Sequence, residues 1–178
     1  MNPGHPSVED EFKNMVTYRP AQPDDAEAIS QLERSLAEKF ITPEYSSTGA
    51  NVLLESLSPD ETRERMQKGF RYHVAVDDGQ VIGVAAMIPR GHLFHLFVSD
   101  SYQKQGIAKK LWEVIRDEAL ANGNTGRITV NSSKYAVPFY ERLGFVKDGG
   151  ITEKNEVTCQ PMLWQIAPPT TDEEDRLI

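Results

Sequence analysis

The chain has 178 residues, 39% hydrophobic and 26% charged, with a formal net charge of −8, an ordinary balance for one globular domain with length left for tails. The acidic balance argues against a nucleic-acid partner, no apolar run approaches the roughly 18 residues of a membrane span, and the opening MNPGHPSVEDEF has neither the basic start nor the apolar run of a secretory leader. Cys159 is the single cysteine, so no internal disulfide can form, which fits a reducing, cytoplasmic setting, and no cluster has metal-ligand spacing.

Residues 1–14 and the acidic stretch 167–178 read as disordered tails around a domain at 15–166. The domain opens with a short strand, Val16 to Arg19, ended by Pro20 and Pro23. Asp24 and Glu27 have the spacing of a capping box, and Ile29, Leu32, Leu36 and Phe40 form a helical stripe. Residues 41–57 are ambiguous, although Val52, Leu53, Leu54 and Leu57 fit one face of a second helix. Ser58, Pro59 and Glu61 give a clear helix start.

Phe70, Tyr72, Val74 and Val76 alternate like a half-buried strand, and Asp78-Gly79 signals a hairpin. The return strand, Val81 to Ile88, is apolar on both faces and belongs in the middle of a sheet. Pro89-Arg90-Gly91 turns the chain into a strand from His92 to Val98. A glycine turn at Gly106 then leads into an amphipathic helix with Ile107, Leu111, Val114 and Ile115 on one face and Trp112 and Ala119 beside it. Asn122-Gly123 ends that helix. Ile128 to Val130 is a strand, Tyr135 to Leu143 a helix closed by Gly144, and Phe145-Val146 a strand start. Gly149-Gly150 turns into a last strand from Glu156 to Ile166, in which Pro161 suggests an edge or a bulge. The order β, α, α, β, β, β, α, β, α, β, β is an α/β fold on a mixed sheet.

The run Gln103-Lys104-Gln105-Gly106-Ile107-Ala108 stands between a strand and a helix N-terminus. There, free backbone N–H groups and the positive end of the helix dipole favour a pyrophosphate. Gly106 lets the backbone approach closely. The chain has no GxxxxGK[ST] P-loop, no GxGxxG with an acidic partner, and no kinase signature set.

Gln103-x-x-Gly106-x-Ala108 after a fourth strand resembles the main motif of the GCN5-related N-acetyltransferase (GNAT) family. Pro138-Phe-Tyr-Glu-Arg-Leu-Gly-Phe145 resembles that family's second block, at the usual separation, and the element order matches over about 150 residues, Val16 to Ile166. His92 to Val98 and Asn131 to Val137 are similar to a bacterial-type subgroup whose members often have no assigned substrate. The resemblance implies a mostly antiparallel central mixed sheet, flanked by helices, whose fourth and fifth strands splay apart. It also implies transfer of an acetyl group from acetyl-CoA to a primary amine on a small molecule or peptide.

By this resemblance the backbone from Gln105 through Gly106, Ile107 and Ala108 to Lys109 holds the pyrophosphate. Gln103 could donate from its side chain, and Lys104, Lys109 or Lys110 could add charge. Leu96, Phe97 and Val98 would pair with the pantetheine arm, and the N–H of Leu96 would face the oxyanion. Tyr140 takes the family's general-acid position, where it would protonate the leaving thiolate. The family's pantetheine-contacting asparagine falls at Ser133, seven residues before Tyr140, with Asn131 two residues earlier, so either could serve.

A protonated amine must lose a proton before attack, and His92 and His95 are the only histidines in the fourth strand. Strict alternation would set them on opposite faces, and the family's bulge could bring them closer. His73 and His5 receive no role. Cys159 reads as a small buried apolar group and not an acyl carrier. Glu153 and Glu156 read as a solvated hairpin, and Phe40, Tyr45 and Leu53 fall where the family lines its acceptor pocket. Other readings are a non-catalytic acyl-CoA-binding module, or the same fold using a longer acyl donor. Relatives of this kind are often homodimers.

Overall fold

The computed structural model describes residues 15–154 and 157–166. The expected tails, and Glu156 at the start of the last run, lie outside the described residues. The elements are β1 (Thr17–Pro20), α1 (Ala26–Phe40), α2 (Ser47–Ser56), α3 (Pro59–Gln67), β2 (Arg71–Asp77), β3 (Gln80–Ile88), β4 (His92–Val98), α4 (Ile107–Ala121), β5 (Arg127–Ser132), α5 (Val137–Arg142), β6 (Val146–Lys147), β7 (Thr152–Lys154) and β8 (Val157–Gln165). Short 3₁₀ turns precede α1, α2 and α5, and another follows β4.

The ambiguous stretch before Ser58 is a full helix, α2, capped by Ser46, whose side chain accepts from the Gly49 N–H. Ser58 caps α3 by accepting from the Glu61 N–H, with Pro59 in the first turn, an interaction usually worth about 1 kcal/mol. The Asp24–Glu27 box does not form. Asp25 instead accepts from the Gln22 N–H at 2.7 Å and holds Arg19. The buried face of α1 consists of Ala26, Ile29, Ser30, Glu33, Leu36 and Ala37. Leu32 and Phe40, expected in the stripe, are only half-buried, so the helix is rotated about its axis and places a carboxylate in the interior.

The sheet runs β1-β2-β3-β4-β5-β8-β6, with β7 added to β8. Every pairing is antiparallel except β4 with β5. β2 was expected to be half-buried but is covered on both sides: Tyr72, His73, Val74 and Ala75 are all buried. Its two neighbours in the sheet pair it along its length, and helices cover each face. The Asp78-Gly79 hairpin turn has both residues at positive φ, 46° and 76°, as its tight two-residue form requires.

One core packs α4 and α5 against the sheet through Leu93, Leu111, Trp112, Ile115, Phe145 and Met162. The second packs Ile29 of α1 against Tyr72, Val74, Val84 and Ala86. α4 lies so close to β3 that a Cβ on Gly83 would stand 2.9 Å from Leu111 Cδ1. Trp112 reaches Phe145 (centroids 4.9 Å apart) and Trp164 (5.6 Å), which binds the β4 half of the sheet to the β5–β8 half.

The final strand departs from its expected form. A β-hairpin, β7 to β8, replaces a plain run, and Pro161 is interior to the sheet, opposite Asn131. Its carbonyl accepts from the Asp148 N–H at 2.9 Å, on the edge where β8 changes partner from β6 to β7. The missing proline donor falls at that change of partner, where no regular ladder bond is interrupted.

Candidate active site

β4 and β5 pair only at His92 with Thr129 and Leu93 with Val130. Beyond Leu93 they separate, leaving a wedge-shaped gap in an otherwise continuous sheet. The backbone on the β4 side of the gap can be assigned. Ser99 N–H bonds to Ile82 C=O at 2.8 Å, on the β3 side, and alternation then turns the polar groups of Phe97 to β3 and those of Val98 and Leu96 into the gap. The Gln103 amide bonding to Val98 C=O at 3.2 Å agrees with this. Phe97 is therefore the exception among the three expected strand donors: its backbone belongs to the sheet.

At the end of β4 the chain makes a 3₁₀ turn and reaches Gly106, which is left-handed (φ 81°, ψ 0°) and sits as the N-cap of α4. Lys104 is also left-handed, at φ 61°. The first helical bond is Lys110 N–H to Gly106 C=O at 2.9 Å. The N–H groups of Ile107, Ala108 and Lys109 thus precede the helical ladder and are available to an anion. A Cβ at Gly106 would meet nothing within 4 Å, so the approach is open.

Gln103 differs from its expected role. Its amide donates to Val98 C=O and to Asp100 Oδ1, both at 3.2 Å, and so ties the loop to β4. Gln105 similarly donates to Ser101 C=O at 3.1 Å. Lys104, Lys109 and Lys110 are exposed, and Lys109 stands 3.9 Å from Glu113.

Tyr140 lies on α5 with its ring buried between Phe139 and Phe145, each centroid 5.4 Å away. Burial raises its pKa well above the ordinary phenol value, so it keeps its proton at any physiological pH. Of the two pantetheine candidates, Ser133 caps the turn before α5, accepting from Ala136 N–H at 3.3 Å. Asn131 is exposed on β5, which leaves it the freer of the two.

The bulge in β4 is present. The β3–β4 register shifts between Ala86, opposite His95, and Met87, opposite Leu93, so Phe94 is the extra residue. His95 consequently stacks on Phe94 (4.3 Å, 29°) on the α1 side of the sheet, and not on the opposite face as strict alternation would require. His92 Nδ1 is 2.8 Å from Thr129 Oγ1 at the point where the two strands part, and burial lowers its pKa, favouring the neutral ring. His73 is buried on the α4 side with Nδ1 3.5 Å from Glu118, away from the gap.

The family model described as an acetyltransferase (GNAT) domain matches residues 41–166. The chain belongs to the GNAT acetyltransferase family. Among curated proteins, rat N-acetyltransferase family 8 member 2 is 32% identical over 101 residues, covering 51% of this chain and 45% of the relative. The match thus spans less than half the length of that relative. Among solved structures, a GCN5-related N-acetyltransferase from Rhodopseudomonas palustris superposes with a TM-score of 0.71 at 20% identity, over 92% of this chain and all of the other. The PaiA N-acetyltransferase of Thermoplasma acidophilum, solved with coenzyme A, gives 0.71 at 16% identity, over 85% of this chain and 99% of the other. At these identities the superpositions establish the GNAT fold.

Within this GNAT domain several side chains make contacts that the sequence does not show, among them those of Lys39 and Glu33. Phe40 stacks on Tyr135 (5.1 Å, 13°), joining the end of α1 to the turn after β5. Lys39 pairs with Asp100 in the loop before Gly106, and Tyr45 donates to Thr158 C=O at 2.9 Å. Glu33 is fully buried with its Oε1 2.7 Å from His95 Nδ1. Its only sequence signal is a carboxylate at helical spacing from Ala26, Ile29 and Ala37. Cys159 is half-buried, not buried, with Sγ 3.2 Å from Thr152 Oγ1. Glu153 is exposed. Among the described residues, no group of three His, Cys, Asp or Glu could hold a metal ion, and no helix is long and apolar enough to cross a membrane.

Proposed function

We propose that this chain transfers the acetyl group of acetyl-CoA directly to a primary amine. One observation carries the reading: the gap between β4 and β5 has the free N-terminus of α4 at one end and the unpaired edge of β4 along one side. An extended, amide-bearing chain with a pyrophosphate at one end, which is the form of the pantetheine arm of coenzyme A, suits that arrangement.

The backbone of Gln105 to Lys109 would take the pyrophosphate. Leu96 and Val98, with Asn131 across the gap, would take the amides of the arm. Attack of the amine on the thioester carbonyl places negative charge on oxygen, and the Leu96 N–H is directed to receive it. One such donor is typically worth about 10²–10³ in rate. The C–S bond then breaks, Tyr140 gives its phenolic proton to the thiolate, and the proton lost by the acylated nitrogen restores the phenol. A free thiol has a pKa of about 8.5, so the thiolate leaves more readily with a donor beside it.

Titration calorimetry with acetyl-CoA, followed by a free-thiol assay over a panel of small amines and lysine peptides, tests the reading. Saturable binding and amine-dependent thiol release are the expected results. Absence of heat with acetyl-CoA defeats it.

A further inference from the structure

The feature not used above is the carboxylate buried behind β4. Glu33 is fully buried and His95 keeps 9% of its surface. The core beneath α1 is otherwise apolar, with Ile29, Val74, Val84 and Ala86, apart from the Tyr72 hydroxyl and the Arg65 guanidinium. A buried carboxylate is disfavoured unless it is paired, and the group in direct contact with this one is the His95 imidazole.

The bulge at Phe94 supplies the geometry. It turns His95 toward α1, where the ring is clamped by Phe94 (4.3 Å), Phe97 (5.7 Å) and Tyr72 (6.5 Å). Nδ1 lies 2.7 Å from Glu33 Oε1. The ring N–H is not aimed along that line, so the two groups are in close contact without a well-directed hydrogen bond. Nδ1 faces Glu33, so Nε2 is the ring nitrogen not in contact with the carboxylate. Tyr72 Oη and Arg65 Nη1 are buried near the pair without hydrogen-bond partners, and Arg65 lies over the Phe94 ring at 4.9 Å.

We infer that His95 is the base that deprotonates the acceptor amine and that Glu33 is its positioning residue. The inference rests on the proposed activity. The ammonium proton of the acceptor passes to Nε2 of His95. The freed lone pair forms the C–N bond at the thioester carbon, the C–S bond breaks, and the thiolate takes its proton from Tyr140; the second proton shed by the acylated nitrogen restores the Tyr140 phenol, and His95 releases its own proton to solvent. Glu33 fixes the tautomer with the proton on Nδ1 and neutralises the imidazolium once Nε2 is protonated. His92, tied to Thr129, stands outside this pair.

The test uses the full chain carrying ¹⁵N-labelled histidine. At mildly alkaline pH the His95 signals show the proton on Nδ1 and a bare Nε2. Glu33→Gln keeps the shape but offers an amide that donates as well as accepts, so the other tautomer gains. With kanamycin or a lysine peptide as the probe amine, kcat falls about tenfold to a hundredfold, while the Kd for acetyl-CoA is unchanged. His95→Gln has a similar effect, and the double variant is little worse than His95→Gln alone.

An unchanged tautomer in Glu33→Gln, or an equally large further loss in the His95→Gln background, assigns Glu33 to packing and overturns the inference. Glu33→Leu provides the same tautomer readout if the glutamine variant does not fold. The tautomer is read without cofactor or amine, so it decides the Glu33–His95 pair independently. A wild-type chain that binds no acetyl-CoA defeats the enzymatic reading instead.

Discussion

The two sides of the β4–β5 gap are built on different principles. The side proposed for the cofactor is made of backbone: the open edge of β4, the left-handed Gly106 and the N–H groups at the start of α4. Its parts are contiguous in the chain from Leu96 to Lys109. The side proposed for the acceptor is made of side chains brought from far apart: Glu33 on α1, Tyr72 on β2, His95 on β4 and the stacked Phe40 and Tyr135. A ligand with invariant geometry can be met by fixed amides. A variable acceptor must be met by groups that substitution can change.

Tyr140→Phe challenges this division most strongly, because the phenol is the side chain proposed to act in the chemistry on the cofactor side. It should lower kcat about a hundredfold and leave the Kd for acetyl-CoA in calorimetry unaltered. An unchanged kcat removes Tyr140 from the chemistry. Gly106→Val comes next. A side chain at this positive φ costs about 1–2 kcal/mol, so acetyl-CoA affinity should weaken about tenfold. The pH profile of the histidine tautomer pair on the acceptor side should stay as it was. A variant that binds acetyl-CoA normally would show that the turn does not hold the pyrophosphate.

The smallest effect is on stability, at the joint between the two sides. Burial depresses the pKa of His92 in the folded chain. The unfolded chain therefore takes up a proton first as pH falls. Stability from this group is fully present above about pH 6.5 and declines below it. Thermal melts of wild type and His92→Asn between neutral pH and mild acid should converge as pH falls, with the wild type losing more Tm. Parallel curves would show that the buried imidazole contributes no such linkage.

Much of the frame was legible because it follows local rules. Ser58-Pro59 and the Asp78-Gly79 turn act within a few residues. Gly106 and the stripe of α4 likewise needed only a spacing and a turn. The bulge at Phe94 was not legible by period alone, since one extra residue turns His95 to the face that alternation denies it. Gln103 was read as a ligand donor, yet its amide ties the loop to Val98 and Asp100. Its reach is a matter of backbone path. Glu33 was hidden for the opposite reason: a charged residue in a helix reads as solvated until the opposing surface is known.

The amino-acid sequence by itself determined the order of most elements and the glycine turn before α4, because turns, caps and periodicities are set by neighbouring residues, while the candidate phenol at Tyr140 came from the family resemblance alone. Only the tertiary structure decided which face of α1 turns inward, where β4 leaves β5 and which histidine meets a buried carboxylate. Those outcomes depend on packing between segments far apart in the chain, as with Glu33 and His95, and no local rule carries that information.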